Sequence, residues 1–392
     1  MPGPEPEPER PERPQRPEHT MPTGTATPTT RWPLVDVVVL GWRAGAQTAS
    51  CLRSVLDAGY PAVRLVVVDN GSDDGSDELV WKELLAHLPD AARIDCGGAR
   101  SDGGLVQRAA ADAGIAPQGI ASQGDDLQPS AFFIRSSRNR GYSAGMNLAL
   151  ELLAYLGPAE YFWLLNNDIT VRPGAIEALV RRCRDDESIA LCGCLQHLVD
   201  PAGRSVGTIP GGFRYHPFFG FPQSLHCSGT SLEDRARIER RMFGVHGAAV
   251  FGTRRFLEQV GPLGTDRFIY YEEQDWATRA RRHGFTLGWA PDAVVDHAHA
   301  SSMQAVADGE RSAMSRYLSS RARIVYTKRW HRGALPTVLL AQLVHILNDA
   351  RASRQVAVSS LRGCVDGLLG RHHRFASMGD ALLPPSRHNS SD

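Results

Sequence analysis

Residues 34–88 alternate between strand-like and helix-like segments, and this order restricts the fold more than any other feature. An apolar, β-branched run at residues 34–40 is followed by a helix-like segment near 46–58 and by a second apolar run at 63–68. A strand, a helix and a strand in that order predict a parallel, right-handed βαβ unit. Because parallel sheets are covered by helices on their faces, the expected fold class is α/β, with a mostly parallel central sheet flanked by helices.

Polar clusters follow three of the predicted strands at the points where those strands end. The clusters are Asp69-Asn70-Gly71-Ser72, the glycine-punctuated loop 139–147 and Asn166-Asn167-Asp168. Open parallel sheets bind ligands at the carboxyl ends of their strands. The three clusters are therefore expected to face one crevice.

Each cluster suits one part of a nucleotide ligand, and each also has a plainer explanation. Asp69 can accept hydrogen bonds from a base or a ribose, although Asn, Asp and Gly are also ordinary turn residues. The loop 139–147 offers backbone N–H groups and a helix start to phosphate oxygens, or it simply joins a strand to a helix. The oxygen atoms around Asp168 suit Mg²⁺ or Mn²⁺, which are typically held by one or two carboxylates together with phosphates.

A block of acids lies among aromatic residues about two thirds of the way along the chain. Glu272, Glu273 and Asp275 stand close in sequence to Phe268, Tyr270, Tyr271 and Trp276. Carboxylates beside aromatic rings lose part of their hydration, which raises their pKa and suits one of them to general-base catalysis near neutral pH. The alternative is an exposed helix start, where acids favour the positive end of the helix dipole.

The composition argues against several classes of function. Lys and Arg together number 43 and so do Asp and Glu, which predicts no strong attraction to nucleic acid. The seven cysteines are odd in number and scattered, so we expect reduced thiols and a cytoplasmic location. Cys192 and Cys194 lie in a segment that reads as a buried strand, which favours core cysteines over a zinc site. The longest apolar run, 335–347, is shorter than the roughly 20 residues that a membrane span needs.

Composition also divides the chain. Residues 1–33 hold ten of the 25 prolines, so this Pro/Glu-rich tail is expected to be disordered, as is the tail 376–392. The predicted catalytic domain spans 34–303. Within it, residues 97–130 carry seven glycines and are expected to form a surface insertion.

The predicted helical extension, 304–375, has a basic segment at 311–332 and an apolar side at 337–369. Three interpretations are open for it. The helices can pack on the catalytic domain, lie on an anionic membrane surface at the inner face of the membrane, or form a homodimer interface. Packing on the catalytic domain is the favoured one.

Six blocks, taken together, resemble a known enzyme family. They are Gly41-Trp42 after the first strand, the Val-Asp-Asn-Gly-Ser block at 68–72, the Asn-x-Gly-x-x-x-Gly-x-Asn loop at 139–147, the Asn-Asn-Asp strand end at 166–168, Val245-His246-Gly247 with the acid block at 272–276, and Val294-Val295-Asp296-His297. In order and spacing they resemble family 2 of the inverting, GT-A-type glycosyltransferases, which includes rhamnosyltransferases and bacterial galactofuranosyltransferases. The resemblance covers roughly residues 34–302 and implies the GT-A fold.

The resemblance implies a role for each matching residue. The residues implied in nucleotide-sugar binding are Asp69, Asn70, Ser72, Asn139, Gly141, Gly145, Asn147 and Asn167. Asp168 matches the metal-binding aspartate, and His297 matches a histidine that completes metal coordination in some relatives. Glu273 occupies the position of the catalytic base, and Asp275 matches a second acid. The plainer alternatives are a core or capping histidine at His297 and a structural acid at Asp275.

The sequence departs from the family pattern at two points. The metal motif has a single carboxylate, Asp168, which implies a looser dependence on the metal. The base position holds Glu instead of Asp, which moves the carboxylate by about one C–C bond in a chemistry where distances of about 3 Å matter. The base can therefore be Glu273, Glu272 or Asp275.

The implied reaction moves a hexosyl or deoxyhexosyl group from a dTDP-, UDP- or GDP-sugar to an acceptor hydroxyl, with inversion at the anomeric carbon and assistance by Mg²⁺ or Mn²⁺. The acceptor is a sugar, a lipid-linked glycan or a small-molecule aglycone. The aromatic residues of 211–225 either contact this acceptor or pack over the core. Two other functions are open, a sugar nucleotidyltransferase and a non-catalytic nucleotide-sugar-binding protein.

Overall fold

The computed structural model of the protein describes residues 31–97, 104–117, 129–157, 159–298 and 309–371. The chain divides into two units, Met1–Trp32 and Pro33–Asp392, and the described strands and helices all belong to the second. The two predicted tails lie almost wholly outside the described residues.

The described part of the chain contains thirteen strands and eleven α-helices. The strands are β1 Val35–Gly41, β2 Val63–Asp69, β3 Ala92–Cys96, β4 Ala131–Ser136, β5 Tyr161–Asn166, β6 Ile169–Val171, β7 Ile189–Val199, β8 Ser205–Ile209, β9 Gly212–His216, β10 Phe221–Ser224, β11 Gly244–Val245, β12 Ala249–Thr253 and β13 Thr286–His297. The helices are α1 Gly45–Asp57, α2 Ser76–His87, α3 Leu105–Asp112, α4 Tyr142–Leu156, α5 Ala175–Asp185, α6 Leu232–Arg241, α7 Arg254–Val260, α8 Glu272–Arg282, α9 Gly309–Trp330, α10 Leu335–Ala352 and α11 Arg354–Leu369, with a 3₁₀ turn at Arg332–Ala334.

The main sheet has ten strands among the described residues, in the order β3-β4-β2-β1-β5-β12-β7-β13-β6, with β8 paired to β7. Five ladders are parallel: β1 with β2 and β5, β4 with β2 and β3, and β13 with β7. β12 enters antiparallel between β5 and β7. The predicted α/β fold with a mostly parallel sheet is confirmed. A smaller sheet has the order β10-β9-β11.

Both faces of the sheet are buried, which explains why the first strands are largely apolar. Along β1, Val37 and Val39 join one hydrophobic cluster, while Val38 between them joins the cluster on the opposite face. Side chains alternate between faces along a strand, so a strand that is covered on both sides is apolar at most positions. The exceptions are Asp36 of β1 and Arg64 of β2, which are buried as an ion pair at 2.6 Å.

The register of the central strands places the polar clusters at one edge of the sheet. Gly41 at the end of β1 pairs with Asp69 at the end of β2, and Leu40 pairs with Asn166 at the end of β5. The three strands run parallel and stop at the same level. The expected common crevice is thus built directly by this pairing.

Two features of the segment before β4 differ from the sequence interpretation. Strand β3 was not expected, because Arg93 and Asp95 interrupt its apolar pattern. Part of the predicted surface insertion also packs inside the protein: α3 buries Val106 and Ala110 completely in the core cluster. Because α3 is short and places only Val106 and Ala110 in the core, its apolar pattern is hard to recognise in a segment with seven glycines.

The C-terminal helices pack against the domain that contains the main sheet and against each other. Tyr326 of α9 is fully buried, its ring lies 5.3 Å from that of Tyr215, and its hydroxyl is hydrogen-bonded to Thr278 of α8 at 2.7 Å. Gly363 of α11 lets the helix backbone come close to α9, since a Cβ there would lie 2.2 Å from the carbonyl oxygen of Tyr317. In the described segments, none of the helices has the length and hydropathy to cross a membrane.

Candidate active site

A narrow pocket lies at the carboxyl ends of β1 and β2, lined by both apolar and polar residues. Asp69 and Ser72 are among its lining residues. Oδ2 of Asp69 accepts hydrogen bonds from the N–H groups of Gly71 at 3.2 Å and Ser72 at 3.0 Å. Burial raises the pKa of Asp69, and these hydrogen bonds oppose the shift. The turn thereby holds a carboxylate rigidly at the wall of a pocket.

Asn70 and Asn139 fix the loop that leads into α4. Nδ2 of Asn70 donates to Oδ1 of Asn139 and to the carbonyl of Gly141, both at 3.1 Å. The N–H of Arg140 donates to Oδ1 of Asn70 at 3.0 Å, and that of Gly141 donates to Oδ1 of Asn139 at 2.9 Å. Both side chains therefore hold the loop in shape, a role that the sequence does not separate from direct ligand binding.

Two glycines permit the close contacts of this loop. Gly71 and Gly141 both have φ of +81°, in the left-handed region that disfavours other residues. A Cβ at Gly71 would lie 2.2 Å from the carbonyl carbon of Arg138, and one at Gly141 would lie 2.3 Å from the carbonyl oxygen of Phe268. The loop is thus pressed between the end of β2 and the segment that precedes the acid block.

Gly145 and Asn147 position α4 and the chain around it. A Cβ at Gly145 would lie 2.9 Å from Cδ1 of Leu40, so the glycine lets the helix approach β1. Nδ2 of Asn147 donates to the carbonyl of Leu263 at 2.8 Å, and the N–H of Leu263 donates to Oδ1 of Asn147 at 3.1 Å. The amide of Asn147 is therefore engaged by the loop before α8.

Asp168 and His297 lie side by side where β13 pairs with β6. Nε2 of His297 is 3.3 Å from Oδ2 of Asp168, and the two side chains are only 12% and 10% exposed. Nδ1 of His297 lies 3.3 Å from Oε1 of Gln196, which is completely buried. In metal sites, a hydrogen bond to one ring nitrogen of a histidine orients the other ring nitrogen towards the metal.

The spacing of these two groups fits a divalent cation. Two ligands that bind one ion at about 2.1 Å each lie about 3 Å apart. Among the residues that the structure describes, no group of three or more His, Cys, Asp or Glu side chains is arranged so that it could hold a metal ion. A Mg²⁺ or Mn²⁺ ion would therefore have Asp168 and His297 as protein ligands, and phosphate and water oxygens would supply the rest. Nδ2 of Asn167 is directed elsewhere and donates to Oγ1 of Thr48 at 3.0 Å.

The acid block begins at a strained turn. Tyr270 and Tyr271 have φ of 76° and 67°, and α8 begins at the next residue. Left-handed backbone at a non-glycine residue costs about 1–3 kcal/mol and persists only where surrounding contacts enforce it. Here the Tyr271 hydroxyl donates to the carbonyl of Gly220 and accepts from Nε of Arg323 at 3.1 Å. These hydrogen bonds hold the strained backbone in place and so fix the direction in which α8 begins.

Glu272 and Glu273 form a coupled pair of carboxyl groups at this helix start. Burial, and next the charge of Glu273, raise the pKa of Glu272 well above its ordinary value. Burial also raises the pKa of Glu273, against a lowering hydrogen bond from the backbone of Gly247. Glu272 is 6% exposed and Glu273 is more accessible. Oε2 of each glutamate has no hydrogen-bond partner within the described ranges. Burial thus raises the pKa of both glutamates, and the shift is larger at Glu272, which also faces the charge of Glu273.

Asp275 lies in a different environment from the two glutamates. It is fully buried, with Oδ1 accepting from Nε1 of Trp330 at 2.7 Å and Oδ2 accepting from Nε of Arg279 at 2.9 Å. Arg267 and Arg329 lie 3.5 Å and 3.8 Å from Oδ1. Both oxygens of Asp275 are thus engaged, and the residue joins α8 to α9. This geometry favours the structural alternative over the predicted catalytic role.

Tyr142 lies close to both the acid block and Asp168, although no pattern in the sequence points to this residue. Its hydroxyl donates to the carbonyl of Gly247 at 2.8 Å. Burial raises its pKa, and the charges of Glu272, Glu273 and Asp168 raise it further. Acids from two separate segments are therefore close enough to act on this one side chain electrostatically. Other residues of the site that the sequence did not mark are Thr48, Gln196, Arg267 and Trp330.

The aromatic segment 211–225 divides into buried and exposed parts. Phe213 and Tyr215 are buried on β9, which supports packing over the core for these two. Phe218 and Phe219, at the turn between β9 and β10, are 66% and 53% exposed. Cys192 and Cys194 are fully buried on β7, as expected for core cysteines.

The sequence profile of one protein family, described as Glycosyltransferase like family 2, matches residues 33–326. No curated protein matches the chain. Among solved structures, GalNAc-T7 with UDP, GalNAc and Mn²⁺ is similar, at 13% identity and a TM-score of 0.53, over 86% of this chain and 55% of that one. At this identity the likeness concerns the fold, which is of the GT-A type.

Two further structures are similar at lower scores. The mannosyltransferase PcManGT from Pyrobaculum calidifontis, in complex with GDP-Man and Mn²⁺, is 14% identical, with a TM-score of 0.49 over 87% of this chain and 89% of that one. TarS from S. aureus is 12% identical, with a TM-score of 0.41 over 74% of this chain and 39% of that one.

Proposed function

From the premise that the chain belongs to the glycosyltransferase-like family 2, we propose that it is an inverting enzyme that moves a hexosyl or deoxyhexosyl group from a nucleotide-diphosphate sugar to an acceptor hydroxyl. The observation that carries this proposal is the position of Glu273 near Tyr142: the Tyr142 hydroxyl donates to the carbonyl of Gly247 at 2.8 Å, and a Cβ at Gly247 would lie 3.4 Å from Oε1 of Glu273. The charges of Glu273 and Asp168 both act on Tyr142, which supports a base and a metal-binding carboxylate close to each other. Such proximity is what a single displacement at the anomeric carbon requires.

The donor is proposed to lie along the strand ends. Asp69 and Ser72 in the narrow pocket suit the base and ribose, and the N-terminus of α4 beyond Gly141 suits the diphosphate. Bound at Asp168 and His297, Mg²⁺ or Mn²⁺ would supply positive charge that neutralises the departing diphosphate. The neighbour GalNAc-T7 was solved with UDP, GalNAc and Mn²⁺, which supports this class of ligand. A dTDP-, UDP- or GDP-sugar is the proposed donor.

Glu273 is proposed as the general base. Its carboxylate takes the proton of the acceptor hydroxyl while that oxygen attacks the anomeric carbon from the face opposite the nucleotide. The new C–O bond forms as the bond to the diphosphate breaks, so the configuration inverts. Glu272, whose pKa is raised well above its ordinary value, is proposed as the member of the pair that does not take this proton. The acceptor is a sugar, a lipid-linked glycan or a small-molecule aglycone.

We also propose a cytoplasmic location, which is supported by the seven cysteines. All seven are free thiols in the structure, and six of them are buried. Thiols are kept in this state by the reducing conditions of the cytoplasm.

Thermal unfolding of the full chain with nucleotide ligands tests the proposed donor class. A ligand that binds only the folded state, at about 100 times its Kd, raises the free energy of unfolding by about 2.7 kcal/mol. We expect one of UDP, dTDP and GDP to raise the unfolding midpoint, and the matching nucleotide sugar to do so as well. An unchanged midpoint with all of them would contradict the proposal.

Replacing Asp168 by Asn is expected to remove the effect of the metal while sparing the nucleotide pocket. In the wild type, Mn²⁺ should raise the unfolding midpoint further when the nucleoside diphosphate is present. In D168N the shift due to the nucleotide alone should persist, because Asp69 and Ser72 are untouched, and the additional shift due to Mn²⁺ should vanish. The control is D292N, since Asp292 is 73% exposed and pairs with Arg181 at 3.2 Å. Full Mn²⁺ dependence in D168N would contradict the assigned ligand.

As the pH is lowered, the rate of transfer is expected to fall at a pH above the ordinary pKa of glutamate. Glu273 acts as its carboxylate, which is lost as the pH decreases through its pKa. Burial raises that pKa. On acidification, kcat/KM should therefore start to decrease before the pH reaches about 4.3, the ordinary pKa of glutamate. The measurement is kcat/KM against pH for the wild type. An acidic limb at or below the ordinary glutamate value would be inconsistent with Glu273 as the base.

A further inference from the structure

Helices α10 and α11 each expose a row of apolar side chains. The exposed residues are Leu340, Leu343, Val344 and Leu347 on α10, and Val358, Leu361, Val365, Leu368 and Leu369 on α11, with exposures from 36% to 63%. Spacings of three and four residues place each set on one side of its helix. Soluble proteins rarely leave a contiguous apolar surface of this kind without a use.

Packing on the opposite sides of the two helices fixes this orientation. Nε2 of Gln342 on α10 donates to Oγ of Ser320 on α9 at 2.8 Å and to Oγ of Ser360 on α11 at 3.1 Å. All three side chains are buried, and Nη1 of Arg323 donates to Oε1 of the same glutamine at 2.9 Å. Turning either helix to hide its leucines would break these hydrogen bonds and leave buried polar groups without partners, which is costly. The apolar residues are therefore held outwards.

The charges around the apolar row are of one sign. Within 335–371 the exposed charged side chains are all arginines: Arg351, Arg354, Arg362 and Arg371. The two acids of this range are engaged by α9. Asp349 is 9% exposed and pairs with Arg316 at 3.4 Å, while Asp366 accepts from the Tyr317 hydroxyl at 2.8 Å. The apolar row thus has a basic margin.

The β9–β10 turn packs on the side of α10 opposite to the apolar row. The ring of Phe221 lies 6.2 Å from that of His345 on α10, and a Cβ at Gly220 would lie 2.9 Å from Val338. Val338 and His345 stand four residues before and three residues after Gln342, so they share its side of the helix. This contact also holds the apolar residues outwards.

We propose that this surface, consisting of the nine exposed apolar side chains of α10 and α11, binds to an anionic phospholipid bilayer. The apolar residues enter the boundary between head groups and acyl chains, and the arginines contact the anionic head groups. A second copy of the chain fits the surface less well, because a two-fold dimer would place the basic margin against itself, and residues 335–371 offer no exposed acid to pair with it.

Flotation of the full-length protein with lipid vesicles tests the proposal and needs neither nucleotide nor acceptor, so its outcome is independent of the proposed enzymatic function. The wild type should float with vesicles of phosphatidylcholine and phosphatidylglycerol, and more weakly with phosphatidylcholine alone. Replacing both Leu343 and Leu347 by Ser should lower the affinity about tenfold or more, because two half-exposed leucines no longer enter the bilayer. Replacing both Arg354 and Arg362 by Gln should lower it about fivefold per charge, only for the anionic vesicles.

The matched control is Leu79→Ser, since Leu79 is 45% exposed on α2 and lies outside this surface. It should float like the wild type, and circular dichroism should show that all variants are folded. Wild-type protein that stays in solution with anionic vesicles would overturn the proposal. Light scattering that finds a dimer in the wild type and a monomer in the Leu343→Ser, Leu347→Ser variant, without any flotation, would assign the surface to a second copy instead.

Discussion

Replacing Glu273 by Gln is expected to lower the rate of sugar transfer by about 10²–10⁴-fold, the usual contribution of a general base. Glutamine keeps the size of the side chain and its contact with Gly247, but it cannot take the proton of the acceptor. The affinity for the nucleoside diphosphate should stay close to that of the wild type, because the pocket at Asp69 and Ser72 is formed by other elements. The measurement is kcat for transfer, with the Kd of the nucleotide measured in parallel.

The matched control is Glu272→Gln, one residue earlier. Burial and the neighbouring charge raise the pKa of Glu272 well above its ordinary value, which favours its neutral form. We therefore expect its replacement by a neutral amide to change little, and transfer should fall by far less than in E273Q. If E272Q lost transfer and E273Q retained it, the roles of the two glutamates would be reversed. Full turnover in both variants would remove the acid pair from the mechanism.

Replacing Asp275 by Ala is expected to destabilise the protein by about 3–5 kcal/mol, the cost of removing one partner from a buried ion pair. The variant leaves Arg267, which is completely buried, and Arg279 without their shared carboxylate. It also removes the acceptor of the Trp330 indole, which links α9 to α8. The measurement is the free energy of unfolding in urea, together with the thermal midpoint.

The control for this variant is Asp292→Ala. The pair of Asp292 with Arg181 is exposed on both sides, and exposed pairs contribute about 0–1 kcal/mol. Should Asp275→Ala unfold like the wild type and yet lose transfer, Asp275 would be a catalytic acid, as the sequence alone allowed. Loss of stability with residual transfer in the folded fraction would support the structural role.

The central sheet could be predicted well from the sequence, because each strand is marked by its own run of apolar residues. Residues 34–40 and 63–68 are largely apolar, so their burial on both faces and the parallel order follow from pattern and connection alone. The polar groups that end these strands, such as Asp69 and Asp168, could be placed at one edge for the same reason. Strand β3 was missed because Arg93 and Asp95 break its pattern.

The roles of individual side chains depend on partners that are distant in sequence. Asp275 and Glu273 are two residues apart in one acidic block, yet Trp330, 55 residues later, binds the first of them. Asn70 and Asn139 read as ligand-binding amides until their mutual hydrogen bond, across 69 residues, is seen. Tyr142 carries no sequence signal, because its importance comes from three acids that the fold brings to it. Local sequence patterns therefore predict where the crevice lies. The roles of its individual residues follow only from the tertiary contacts.

Determining the products formed from nucleotide sugars tests the central claim most directly. The wild type and E273Q are incubated with dTDP-, UDP- and GDP-sugars, Mn²⁺ and a set of hydroxyl acceptors, and the released nucleotide and the anomeric configuration of the product are determined. We predict that the wild type releases a nucleoside diphosphate and forms a glycoside of inverted configuration, and that E273Q does not. Retained configuration, pyrophosphate formed from a sugar phosphate and a nucleoside triphosphate, or tight nucleotide binding without transfer to any acceptor would contradict the account.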